Sequence, residues 1–119
     1  MILIVGGARS GKRTYARGLA ARHGWGEDEL AFDAEELLWD AGAPAGRRAL
    51  EAGGGLLEAL AAKKAVTCTL VGGGIVPLDP DEAAWREAAG RMQCALAGRA
   101  QAVVRMTCGI PQPVKGDLA

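Results

Sequence analysis

An α/β fold with a small, mainly parallel sheet and helices on both faces is predicted by three features of the sequence. Apolar runs of strand character alternate with stretches of helical pattern, the order that parallel strands joined by right-handed helical crossovers require. The first run, Met1-Ile2-Leu3-Ile4-Val5, is unbroken and partly β-branched, as a strand covered on both faces would be. Glycine-rich turns follow two of the runs, at residues 6–11 and 72–74, on the edge where sheets of this class place their ligands. A chain of 119 residues makes one domain, residues 1–119, and with only 4% aromatic residues its core must be filled by Ala, Leu and Val.

After the strand at 1–5 and its glycine turn, a helix is expected over 12–22, with Tyr15, Leu19 and the intervening alanines toward the sheet and Gly24 ending it. Residues 25–46 read mostly as loop, a candidate cover over a bound ligand. Within them, 28–32 hold a short apolar piece suited to an edge strand, 35–40 could make one helical turn, and Gly42-Ala43-Pro44 breaks whatever precedes it. Residues 47–52 look helical, and Gly53-Gly54-Gly55 interrupts them, since each glycine costs a helix roughly 1 kcal/mol against alanine. A helix resumes over 56–64, with Lys63 and Lys64 suited to its carboxyl end, and a buried strand is expected over 65–71. Asp79 as N-cap, Pro80 at the first helical position and Glu82 at the capping-box position open a helix that should run to about Gly98. Its Trp85, Ala88, Ala89, Met92, Ala95 and Leu96 recur at helical spacing and are expected in the core. A last strand over 102–107 leads into 108–116, whose prolines keep it from being a central strand.

Fourteen basic and fourteen acidic residues give zero formal charge without a run of either sign, which leaves no footprint for nucleic acid or an anionic membrane. The apolar opening is too short for a signal-peptide core or a membrane span, and a cytoplasmic location is expected. Cys68, Cys94 and Cys108 are odd in number and widely spaced, so they are expected to be reduced and buried rather than paired or zinc-bound. His23 is the only histidine, which excludes a multi-histidine metal site; near the end of the first helix it is placed to meet terminal carbonyls.

The stretch that carries chemistry is Gly6-Gly7-Ala8-Arg9-Ser10-Gly11-Lys12-Arg13, followed by Thr14. Gly6 stands five residues before Gly11 with Lys12 next, the spacing of a phosphate-binding loop, and the order strand, loop, helix is that of a P-loop NTPase-like three-layer domain. Glycines let the backbone approach phosphate oxygens, so that successive N–H groups converge on the anion at a positive helix end. Lys12 adds a mobile charge for the outer phosphates and is the candidate catalytic residue; the implied ligand is a purine nucleotide, ATP or GTP with Mg2+. The last position of the pattern normally carries a Ser or Thr hydroxyl for Mg2+, and here it is Arg13. Thr14 lies about 100° further round an ideal helix and can replace that hydroxyl only if the loop shifts register.

Asp33, Glu35, Glu36 and Asp40 are the nearest acidic residues. A carboxylate such as Asp33 could hold Mg2+ through water, against the plainer reading of solvated surface charge. The strand at 65–71 lacks the acid that phosphate-loop enzymes keep at its carboxyl end, and Gly72, Gly73 and Gly74 follow it as a candidate second ligand loop. The plainer reading of the whole motif is a glycine-rich β-to-α turn with Lys12 in solvent.

Two blocks of the chain belong together. One is Ile4-Val5-Gly6-Gly7-Ala8-Arg9-Ser10-Gly11-Lys12. The other runs from Val71-Gly72-Gly73-Gly74-Ile75-Val76-Pro77 through Trp85-Arg86-Glu87 and Ala89-Gly90-Arg91 to Cys108-Gly109-Ile110-Pro111. In these blocks the chain resembles the adenosylcobinamide kinase / adenosylcobinamide-phosphate guanylyltransferase family of cobalamin biosynthesis. The resemblance implies a nucleotide-binding domain that phosphorylates the aminopropanol hydroxyl of adenosylcobinamide, a corrinoid, with ATP or GTP, and that self-associates as a homo-oligomer. In bifunctional members, GMP is then transferred through a covalent histidine intermediate.

The chain departs from the family pattern at Arg13, at Thr69 and Leu70 where polar and acidic residues are usual, and in a shorter middle without the acid-bearing strand. It also has no histidine between residues 24 and 64, so guanylyl transfer is expected to be absent. Beside the kinase stand two alternatives: a catalytically degenerate phosphate-loop domain acting as a nucleotide-binding regulatory or assembly subunit, and a kinase for an unrelated small hydroxyl substrate.

Overall fold

The computed structural model describes residues 1–40, 55–70 and 80–117. The chain opens with β1 (Ile2–Gly6), enters α1 (Lys12–His23), and passes through one 3₁₀ turn (Glu27–Glu29) into β2 (Leu30–Ala31) and α2 (Ala34–Asp40). Further on come α3 (Gly55–Ala61), β3 (Ala65–Thr69), α4 (Pro80–Arg99), β4 (Ala102–Thr107) and β5 (Ile110–Lys115). The sheet runs in the order β2-β3-β1-β4-β5, with the first four strands parallel and β5 antiparallel at the edge. β1 lies at its centre, where Ile4 stands opposite Thr67 on one side and Val104 on the other.

Strand side chains point alternately to the two faces, and the core divides accordingly. Ile2, Ile4, Ala102, Val104 and Met106 meet Ala16, Leu19 and Ala20 of α1 on one face. Leu3, Val66, Cys68 and Val103 meet Ala34, Leu60, Met92 and Leu96 of the other helices on the opposite face. Each fully buried large apolar side chain contributes about 1.5–3 kcal/mol relative to exposure, so these two layers supply the main drive for folding. Ion pairs and caps set the borders. Arg99 of α4 meets Glu58 of α3 at 2.6 Å, and the Lys115 ammonium donates to the Ala97 and Gly98 carbonyls at 3.0 and 3.2 Å, satisfying acceptors that the end of α4 leaves open.

Several expectations hold. α1 ends at Gly24 with φ 74°, β2 is an edge strand, and 102–107 is a strand. Ala88, Ala89, Met92 and Leu96 are buried, with Trp85 and Ala95 half-buried. Three readings require correction. Residues 25–40 are not mostly loop: β2 bonds to β3, and Ala34 of α2 is fully buried, so pairing and packing order a stretch whose local signal is weak. The strand expected over 65–71 stops at Thr69, and Leu70 is exposed. α3 begins at Gly55 and ends at Ala61 rather than reaching Lys64, leaving Lys63 to donate to the Asp28 carbonyl at 2.6 Å instead of capping. α4 runs from Pro80 to Arg99, as expected. The segment 42–54, the Gly72-Gly73-Gly74 turn, Asp79 and the side chains of Asp40 and Glu82 lie outside the described residues.

Leu96→Ala should lower the unfolding free energy by about 2–5 kcal/mol, because it deletes a fully buried side chain. Ile110→Ala, at a position 67% exposed, should stay within about 0.5 kcal/mol. Urea unfolding of both variants checks the contrast.

Candidate functional site

The site is built at the carboxyl ends of the parallel strands, beginning with the last residue of β1. A Cβ on Gly6 would lie 2.5 Å from the Ser10 hydroxyl and 2.7 Å from the Met106 carbonyl oxygen. Only a residue without a side chain lets the following loop fold back onto the strand end. Gly11 then takes the left-handed conformation, φ 93° and ψ 13°, as N-cap of α1, and the first helical bond runs from Tyr15 N–H to the Gly11 carbonyl at 3.0 Å. The Ser10 carbonyl accepts from Gly109 N–H at 2.9 Å, fastening the loop to the turn between β4 and β5.

The amino end of α1 has the character of an anion site. Its N-cap offers no side-chain acceptor, its first turn holds no acid, and the opening N–H groups have no intrahelical partner. The Ser10 side chain is 8% exposed, and its hydroxyl finds no hydrogen-bond partner among the described residues. Lys12 is buried, with its ammonium turned back into the curl of the loop to donate to the Gly7 carbonyl at 2.5 Å.

Loop residues 8–14 line a cleft of about 500 Å³, closed on the far side by Asp33, Glu36 and Thr69. The structure thus brings Lys12, Arg13, Thr14 and Asp33 to one cavity, above Gly6 and Gly7. An adjoining hollow of about 650 Å³ shares Gly11 and Thr14 with it and is lined also by Tyr15, Gly18, Arg22, Met106 and Gly109. Among the described residues, the non-glycines with positive φ are Arg9 (58°), Asp33 (54°) and Cys108 (50°). All three border this region, as two of them line the cleft and Cys108 lies beside Gly7 to Ser10. Such conformations cost on the order of 1–3 kcal/mol each and persist where the surrounding contacts impose them.

Arg13 is engaged at the surface rather than free. Its guanidinium pairs with the Asp33 carboxylate and lies 5.3 Å above the Phe32 ring, while Arg17 stacks on the same ring at 5.1 Å. Asp33 is in turn fixed by its N–H, which donates to the Thr67 hydroxyl at 2.9 Å. The Arg13 side chain is 56% exposed, so the ion pair is worth only about 0–1 kcal/mol. At position 13 the side chain is the wrong kind to ligate a magnesium ion. A guanidinium has no lone pair to offer and carries a permanent positive charge at the position where a hydroxyl would ligate. The Asp33 carboxylate is engaged by Arg13, and no cluster of three His, Cys, Asp or Glu side chains occurs among the described residues.

The residue that sequence reasoning missed is Glu35. It is not solvated surface charge: it is 3% exposed, and its Oε1 accepts from Thr69 N–H at 2.5 Å, at the carboxyl end of β3. Its own carbonyl accepts from Trp85 Nε1 at 2.7 Å, and Gln93 donates to the Thr69 carbonyl at 2.9 Å. An acid therefore does stand at the end of β3, supplied by α2 rather than by the strand. Burial pushes its carboxyl above the ordinary range and the Asp33 and Glu36 charges add to this, while the Thr69 N–H works in the opposite direction. A helix of seven residues gives too little periodicity to separate the face of Glu35 from that of the exposed Glu36.

Of the cysteines, only Cys68 is buried, and burial pushes its thiol up to about 12, with the Glu35 charge contributing; Cys94 and Cys108 are exposed, contrary to expectation, and all three are free. Cys94 and Cys108 fall on exposed helix and turn positions that composition does not reveal. His23 stacks on Trp25 with ring centroids 4.8 Å apart. No protein-family model matches the chain, and no curated protein matches it.

Gly6→Ala should cost about 1–3 kcal/mol in urea unfolding, since the added methyl meets a backbone oxygen that cannot swing aside. Glu35→Gln keeps an acceptor for Thr69 N–H and removes the charge. Because the native carboxyl is raised, its contribution to stability is full below 4.5, the ordinary value, and is lost as pH rises through the native value. Unfolding measured across that range should therefore find the two proteins alike in acid and the Gln variant more stable near neutrality.

Proposed function

We propose that this chain is a P-loop NTPase-like domain that binds a purine nucleotide, with phosphates on residues 6–14 and Lys12 directed to the outer ones. The observation that carries the reading is the uncapped amino end of α1 with the Lys12 ammonium and the unpartnered Ser10 hydroxyl gathered beneath it. Anion oxygens would give that hydroxyl an acceptor and would draw Lys12 away from the Gly7 carbonyl. The adjoining hollow beside Tyr15 and Met106 offers a largely apolar place for a base, which favours a nucleotide over a bare phosphate.

Within this reading, the activity implied by resemblance is that of a cobinamide-kinase-like protein, phosphorylating adenosylcobinamide with ATP or GTP and lacking the guanylyl step. A cytoplasmic, self-associating protein without nucleic-acid or membrane partners belongs to the same proposal; among the described residues no helix is long and apolar enough to cross a membrane. One observation favours the second reading, a degenerate domain that binds without transferring. Phosphoryl transfer relies on metal-assisted charge neutralisation, and Arg13, paired with Asp33, fills the motif position that normally carries the metal-binding hydroxyl.

Calorimetry should find ATP or GTP binding that Lys12→Ala weakens about 10–100-fold, the range for losing a charged hydrogen-bond donor. Absence of any binding by the unaltered chain would remove the nucleotide reading. Lys12-dependent label transfer from ATP or GTP to adenosylcobinamide decides for the kinase; binding without transfer decides for the degenerate domain.

A further inference from the structure

We propose that Arg13 takes the place of the metal ion, so that the cleft accepts a polyphosphate free of Mg2+, and that Asp33 holds the guanidinium until the anion arrives. The inference rests on the phosphate-binding reading of the loop. A hydroxyl at position 13 would add a metal ligand; a guanidinium subtracts one and adds a cation in the same place, and it cannot shed its charge by deprotonation. A metal ion entering there would meet that charge at close range. The guanidinium itself offers planar paired donors that match phosphate oxygens.

Its present engagement suits an exchange. Arg13 and Asp33 both line the cleft that Lys12 enters, and their pair is solvent-exposed and therefore weakly held. Phe32 provides a flat support under the guanidinium that does not compete for its donors. The backbone of Asp33 is anchored on Thr67, so Asp33 stays while Arg13 moves from one anion to the other. Ser10, buried and unpartnered at the same helix start, is the independent sign that an acceptor from outside the chain belongs there.

The test is calorimetry of the full chain with inorganic pyrophosphate and with ATP, each in excess EDTA and in excess Mg2+. Pyrophosphate should bind at least as tightly in EDTA as in Mg2+. Arg13→Ser should lose about 10–100-fold in EDTA and bind better when Mg2+ is added. Asp33→Asn, which removes the competing carboxylate, should bind pyrophosphate more tightly than the unaltered chain, and thermal melting checks that both variants fold. Tighter binding with Mg2+ by the unaltered chain, or an Arg13→Ser variant indifferent to EDTA, overturns the role of Arg13 and leaves the nucleotide reading standing. Arg13-dependent binding of pyrophosphate with no affinity for ATP does the reverse. No binding of either ligand under any condition overturns both.

Discussion

Where β1 ends, the sheet has no room for a side chain, and most of the molecule's organisation follows from that restriction. The Ser10 hydroxyl and the Met106 carbonyl close over the bare Cα of Gly6, which lets the loop lie against the strand end instead of arching away from it. The tight path delivers Gly11 to its left-handed conformation, starts α1 one residue later and aims the helix back along the sheet, where Ala16 and Leu19 close one face of the core. The same path puts Lys12 beneath the loop rather than on the surface. Packing at one glycine thus sets both the first half of the hydrophobic core and the position of the candidate site's central cation.

Charge around the cleft is divided between two layers. Arg9, Lys12 and Arg13 face Asp33 and Glu36 across the cavity, while Glu35 lies behind them, out of solvent and bonded to the end of β3. In the outer layer the Arg13–Asp33 pair can rearrange, since it is exposed and its separation costs little. The inner layer cannot, because Thr69 and Trp85 hold Glu35 from two sides and a charge there would lack the solvent that stabilises it. Adaptable charge at the mouth over a fixed, reluctantly ionised acid below is the electrostatic character of this site.

Sequence was informative where one local rule acted alone. The spacing of Gly6, Gly11 and Lys12 located the loop, the unbroken apolar run located β1, and the glycine at position 24 located the end of α1. It was poor where distant segments decide the outcome. β2 has two residues and exists because β3 runs beside it; nothing in Leu30 and Ala31 alone distinguishes them from loop. Asp33 was legible as a carboxylate near the motif, but its partner Arg13 was not, since the two are twenty positions apart and meet only after β2 joins the sheet. Glu35 was misread for the same reason, because its exposure depends on Thr69 and Trp85, neither of which is near it in the chain.

The antiparallel strand β5 bears on how copies of this protein could meet. Pro111 and Pro113 stand at alternate positions, opposite Met106 and Val104, so their nitrogens face the same side of the strand. With β4 taking the inner side, those nitrogens belong to the outer one, where neither can donate a hydrogen bond. The row of groups that would otherwise template another strand is interrupted twice within a few residues, even though Ile110 and Val114 expose apolar surface along it. At this edge the prolines oppose extension of the sheet by a further strand.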